Sequence, residues 1–120
     1  MDKPGRSIDD LLADLLLWGE RIDRFLAGKT KADFHTDEIL QLAVTRCIEV
    51  IGEVSGNILR LHPGFADEHP ELELAEAYRM RNRLLHGYDT VDWQVVWDTA
   101  THYVPVLISH VRSITAPGER

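Results

Sequence analysis

Cysteine is nearly absent: Cys47 is the single one in the chain. One thiol cannot close an internal disulfide or furnish a cysteine-built zinc finger. A lone cysteine at an apolar helix position is expected to be a small buried group. Long apolar runs are missing too. None reaches the roughly 18 residues of a membrane span, and the longest are as short as Leu15 to Trp18. No charged-then-apolar leader opens the sequence, so no membrane partner is expected and a cytoplasmic location is. A glycine-rich phosphate loop, a serine-hydrolase elbow and paired catalytic carboxylates do not stand out. Positive charge is in deficit, with 13 Lys and Arg against 20 Asp and Glu, a net charge of −7 and a pI near 5.2. Such a chain repels phosphate as a whole. DNA is therefore not an expected partner, and any RNA binding has to rest on local charge.

What is present is the balance of a folded domain: 44% hydrophobic and 28% charged residues. A chain of 120 residues suits one domain, with a core spanning about residues 7–115 and a loose tail from Pro117. At this size the core is shallow enough to leave apolar surface for a partner.

Four amphipathic helices are predicted. The first starts at the cap Ser7, with Asp9 and Asp10 in its first turn. Ile8, Leu11, Leu12, Leu15, Trp18, Ile22, Phe25 and Leu26 recur at helical spacing, and Gly28 stops it. The second starts near Thr36 and keeps Leu40, Ala43, Cys47, Val50, Ile51, Val54 and Ile58 on its core side. Pro63 and Gly64 end that region. The third follows Pro70 and runs to His86, before Gly87. The fourth starts at Asp92 and aligns Trp93, Val96, Trp97, Ala100, Val104, Leu107 and Val111. Pro105 has no N–H to donate, so a kink is expected one turn past Thr101. Short connections make this an all-α, antiparallel (up-down) four-helix bundle.

The chemistry concentrates in Tyr78 to Tyr88, Y-R-M-R-N-R-L-L-H-G-Y. Arg79, Arg81 and Arg83 reverse the local sign of the charge, and a small positive cleft could hold phosphate on an otherwise negative surface. On a continued helix Arg81, Leu84, Leu85 and Tyr88 fall near one side, and Asn82 lies one turn from His86. Arg81 then sits at the edge of the apolar stripe, where a guanidinium needs an anionic partner, a carboxylate or a bound phosphate. The second helix carries Arg46, Glu49, Glu53, Asn57 and Arg60 in one polar stripe. That stripe is either a solvated face or the source of a carboxylate, Glu53 or Glu49, that orients an arginine of the third helix.

The arginine at 81, the histidine at 86 and the tyrosine at 88 resemble the signature of the HepT-like toxins in the HEPN superfamily. The string Met80 to Tyr88 is similar to that family's central segment, and Val91-Asp92, Val96-Trp97-Asp98 and Ile48 to Glu53 also match. The likeness covers roughly residues 9–112. Leu72-Glu73-Leu74 departs from it, where a proline-tryptophan start to the third helix is expected. The resemblance implies a HEPN-like bundle and a metal-independent endoribonuclease toxin working as a homodimer. It also implies a nucleotidyltransferase-fold antitoxin that silences the toxin by adding AMP to Tyr88. Arg81 and His86 carry over as catalytic residues, with Asn82 beside them, and Arg79 and Arg83 are candidate RNA phosphate contacts.

These residue types suit RNA, which supplies its own 2′-hydroxyl nucleophile. Histidine titrates near neutrality and can move the protons. The arginine fork can hold the charged phosphorane. No cofactor is needed. One chain offers one motif histidine, so acid and base by two histidines require a two-fold dimer. The plainer readings are a helix-end role for His86, a packed aromatic for Tyr88 and, rather than stacking RNA bases, core or dimer packing for Trp93, Trp97 and Tyr103. Asp98 and His102 have permissible ligand spacing but no evident third ligand, so no metal site is expected. The rival function is a non-catalytic HEPN-like subunit that docks a nucleotidyltransferase or a nucleotide. Transfer RNA and messenger RNA both stand open as substrates.

Overall fold

The computed structural model describes residues 6–116, and among them every regular element is helical. The chain runs through α1 (Ile8–Leu26), α2 (Lys31–Thr36), α3 (Glu38–Leu61), α4 (Pro63–Glu68), α5 (Leu74–His86), α6 (Trp93–Asp98) and α7 (Val104–Thr115). Short 3-10 turns at Pro70–Leu72 and Tyr88–Thr90 flank α5, and a π-turn at Thr99–Tyr103 joins α6 to α7 in one run. The long segments are the four expected from the sequence, so the molecule is an all-α bundle. The expected tail from Pro117 lies outside the described residues.

Ser7 caps α1 by accepting the Asp10 N–H at 3.0 Å. Leu11, Leu12, Leu15 and Ile22 of α1 are buried. Gly19 brings α7 close, because a Cβ there would lie 2.2 Å from Ile108 Cδ1. The chain leaves α1 through Gly28 at φ +74°, a left-handed setting that favours glycine.

The segment before α3 is more ordered than a simple break. Thr30 and Asp33 form a reciprocal capping box, the Thr30 N–H reaching Asp33 Oδ2 at 2.9 Å and the Asp33 N–H reaching Thr30 Oγ1 at 3.1 Å. The Thr30 backbone N–H holds the Asp33 carboxyl below its usual range. This turn of helix delivers Phe34, fully buried, onto Trp93 and Trp97 of α6 with ring centroids 6.2 and 5.6 Å away. Asp37 then caps α3 through the Leu40 N–H at 3.0 Å. Pro63 ends one helix and starts the next, because its missing N–H is harmless in the first turn of α4.

The core joins Val44, Cys47, Ile48, Ile51 and Ile58 of α3 to the buried residues of α1 and to Val104, Leu107, Ile108 and Val111 of α7. Burial pushes the Cys47 thiol up to about 11, which leaves it a protonated packing group.

The disturbance expected at Pro105 takes the form of the π-turn immediately upstream. Val104 donates its N–H five residues back to the Thr99 carbonyl. The wider turn lets the run pass a proline that cannot bond the carbonyl four residues before it. Tyr103 in this turn donates its hydroxyl to the Leu72 carbonyl at 2.8 Å and the Glu73 carbonyl at 3.2 Å. Burial raises its phenol well above the usual range. The bond ties the start of α5 to the bundle. Tyr103→Phe is expected to cost about 1 kcal/mol, the usual worth of one such bond, measured as a lower urea midpoint with an unchanged slope.

Candidate active site

α5 packs chiefly on α3, and two glycines set the distance. A Cβ on Gly52 would lie 2.3 Å from Arg81 Cβ and 2.6 Å from the Ala77 carbonyl oxygen. A Cβ on Gly56 would lie 2.5 Å from Cδ1 of Tyr78. As the chain advances along α3 from Gly52 to Gly56, its contacts retreat along α5 from Arg81 to Tyr78, so the two helices are antiparallel. The sequence reading missed Gly52 and Gly56 as positioning residues. The available signal was their four-residue spacing opposite a helix that must come close.

This docking places the Arg81 stem against α3 and leaves its guanidinium half-buried, with the side chain 25% exposed. Nη2 pairs with Glu53 Oε1 at 2.7 Å, and Nη1 donates to Asn82 Oδ1 at 2.8 Å. A guanidinium has five N–H donors, so these two bonds fix its plane while others stay free for an anion. Of the two candidate carboxylates, the one on Arg81 is Glu53. Glu49 pairs with Arg46 of its own helix at 3.5 Å.

His86 is the last residue of α5 and is exposed. The Gly87 N–H closes the helix onto the Arg83 carbonyl at 3.0 Å. Five residues along an α-helix turn about 140°, so Arg81 and His86 of one chain point to different sides of α5. Asn82 lies between them in rotation, bonded to Arg81. The 3-10 turn that Tyr88 opens is bonded from the Thr90 N–H to the Gly87 carbonyl at 2.9 Å. The Tyr88 side chain lies outside what the structure describes.

Two sequence expectations need correction. Leu85 is not on the apolar side with Leu84: Leu84 is buried while Leu85 is 42% exposed. The helix stops at Gly87 because the chain must turn to reach the Asp92 cap of α6. Nor do the three arginines form one cleft. Residues two apart on a helix do not face each other. Arg79 pairs with Glu76 and borders a cleft of about 610 Å³ between α5 and the π-turn, with Ile48, Ile51, Met80 and Tyr103 among its lining. Arg83 borders a smaller pocket with Gly87 and Val91. Arg81 opens instead onto a groove of about 340 Å³ shared with Glu53, Asn57, Arg60 and Tyr78.

Trp93 and Trp97 are packed by Phe34 in the ways given above. His102 Nδ1 faces the Thr101 hydroxyl and the Asp98 carbonyl, both at 3.2 Å. Among the described residues no three of His, Cys, Asp or Glu cluster as a metal would require, and no helix is long and apolar enough to cross a membrane.

The family model for HepT-like ribonucleases matches residues 18–114, a span that holds the whole of α3 and α5. The chain is 39% identical over 102 residues to a protein of Thermococcus cleftensis named probable ribonuclease HepT, covering 85% of this chain and 90% of that one. It is 31% identical over 102 residues to each of two Methanocaldococcus jannaschii proteins named as candidate RNases, again over 85% of this chain and over 82% and 85% of theirs. No solved structure matches. With its all-α bundle and the Arg81 to His86 segment at the end of α5, this chain belongs to the HepT-like ribonuclease family.

Proposed function

We propose that this chain is a metal-independent endoribonuclease whose active site forms across a two-fold homodimer. The observation that carries the reading is the setting of Arg81. Glu53 and Asn82 hold its guanidinium half-buried, with donors left over, at the mouth of a groove on the helix that ends in His86. A prearranged guanidinium stabilises a phosphorane without reorganising as charge develops.

In the proposed reaction the ribose 2′-oxygen gives up its proton to one histidine and attacks the adjoining phosphorus. The 5′-oxygen leaves with a proton from a second histidine, giving a 2′,3′-cyclic phosphate and a free 5′-hydroxyl. Arg81 neutralises the phosphorane oxygens, and Asn82 keeps the guanidinium in plane. Arg79 and Arg83, on the side of α5 away from Arg81, add positive potential for RNA.

The dimer supplies the second His86 and brings each to an Arg81 that its own chain turns away from. Exposed apolar side chains support such an interface. Ile39 and Leu42, 80% and 59% exposed, stand at the start of α3. Leu85 and His86 are exposed on the last turn of α5. In the cell the chain acts as a toxin. A nucleotidyltransferase antitoxin silences it by joining the Tyr88 phenol oxygen to the α-phosphate of ATP, with release of pyrophosphate. The added phosphate and bulk one residue past Gly87 would repel and block RNA.

Dimers of one wild-type and one His86→Ala chain, incubated with total RNA in EDTA, test this. Activity per wild-type chain is expected to fall at least about a hundredfold, the low side of the loss of an acid or base. Full activity per wild-type chain would refute the shared site. Silence of the wild-type dimer in EDTA, with activity restored by a divalent ion, would refute metal independence.

A further inference from the structure

The groove beside Arg81 is larger than one guanidinium needs, and its other wall is not used by the proposed reaction. That wall is Tyr78, Asn57 and Arg60. Tyr78 is an aromatic side chain left 39% exposed, so part of its ring is open to the groove. Its ring has a fixed seat. One edge rests on Gly56, so close that a Cβ there would overlap it, and the Arg81 guanidinium carbon lies 5.8 Å from the ring centroid. In the same groove Arg60 donates from Nη1 to Asn57 Oδ1 at 3.1 Å. That bond leaves the Asn57 amide N–H groups and most of the Arg60 donors unspent.

A half-open aromatic ring that shares one groove with two guanidiniums and a side-chain amide is what an unstacked nucleobase and its flanking phosphates require. Base stacking on an aromatic face tolerates any sequence, and arginine takes the backbone charge. We propose that this groove is a nucleotide subsite of the RNA site: the base next to the scissile phosphate stacks on Tyr78, Asn57 meets its edge, and Arg60 takes the next phosphate along the strand. The inference rests on the ribonuclease reading and extends it. It makes single-stranded RNA the substrate class, since a base held in a duplex cannot reach Tyr78.

The test uses the full chain carrying His86→Ala, so that RNA is bound and not cut, with a short fluorescein-labelled single-stranded RNA followed by anisotropy. Adding Tyr78→Ala is expected to weaken binding about tenfold, within the range for one stacked base. Tyr78→Phe should stay within about twofold, because the stacking face is kept. Tyr78→Leu keeps apolar cover over Gly56 without an aromatic face, and should bind as weakly as Tyr78→Ala while melting at the parent temperature. Arg60→Gln is expected to lower the salt dependence of binding by about one ion. In the cleaving protein the Tyr78→Ala loss should appear in KM more than in kcat. If the parent cuts RNA but Tyr78→Ala and Tyr78→Leu bind as the parent does, or Tyr78→Phe is as weak as Tyr78→Ala, the subsite is overturned and the ribonuclease reading stands. If the parent neither cuts nor binds RNA, both fall together.

Discussion

His86→Ala and Arg81→Lys are each expected to lower the rate of RNA cleavage by about 10²–10⁴-fold with the bundle still folded. The range is that of a lost proton-transfer group or a lost donor to developing charge. His86 is exposed at the end of α5, so its loss should leave thermal unfolding where it was. Arg81→Lys keeps a positive charge and an aliphatic stem against Gly52. It removes the fork, and an ammonium cannot bond Glu53, Asn82 and a phosphate in one plane. Glu53→Gln is the graded case. It keeps an acceptor near Arg81 Nη2 but gives up the charge that holds the guanidinium, and a loss of about tenfold is expected, below that of Arg81→Lys. Arg112→Lys is a suitable control, since Arg112 pairs with Glu20 on an exposed face between α1 and α7. Single-turnover cleavage of a defined RNA by the four variants gives the ranking. Equal activity of Arg81→Lys and the parent would remove the guanidinium from the chemistry.

The second large effect is expected at Gly52. In Gly52→Ala the new methyl would meet Arg81 Cβ and the Ala77 carbonyl, both parts of α5 that cannot swing aside. Relief requires the helices to separate. Overpacking of this kind costs about 1–3 kcal/mol, and occasionally more, while the gain from alanine over glycine inside a helix is about 1 kcal/mol. A Cβ with β-branching has no such offset, so Gly52→Val is expected to lose about 3 kcal/mol or more. Separation also draws Arg81 away from Glu53, so the surviving folded fraction should cleave RNA poorly. Gly64→Ala, in α4 with open space around its Cα, should be neutral or slightly stabilising. Urea unfolding of the three proteins measures the difference. A Gly52→Ala protein as stable and as active as the parent would mean that α5 is not held by this contact.

Much of this molecule was legible before any coordinates. The caps at Ser7 and Asp92 and the stop at Gly28 stand where they were expected, and the apolar stripes of α1, α3 and α7 supply the core, although α3 buries Val44 and Ile48 and leaves the expected Ala43 and Val50 half-buried. Two short helices were not legible from the hydrophobic pattern. α2 is one turn and a half built on the Thr30–Asp33 box, too short for a stripe to register, and α4 begins at the proline that was read only as a terminator. The arginines carry a sharper lesson. Arg79, Arg81 and Arg83 look like a cluster in sequence, yet helical rotation sends consecutive odd positions to opposing sides, and they border three separate pockets. Tyr78 looked like the edge of a motif and lies instead along the groove that Arg81 enters.

By itself the sequence determined the helical class, the family and the presence of an arginine and a histidine on one helix end. Those are local or linear properties, written in spacing, capping residues and a contiguous segment. Only the tertiary structure decided that Glu53 and not Glu49 grips Arg81, and which other residues share its groove. That choice depends on how α5 is rotated and pressed against α3. The rotation comes from contact at Gly52 and Gly56, between residues far apart along the chain.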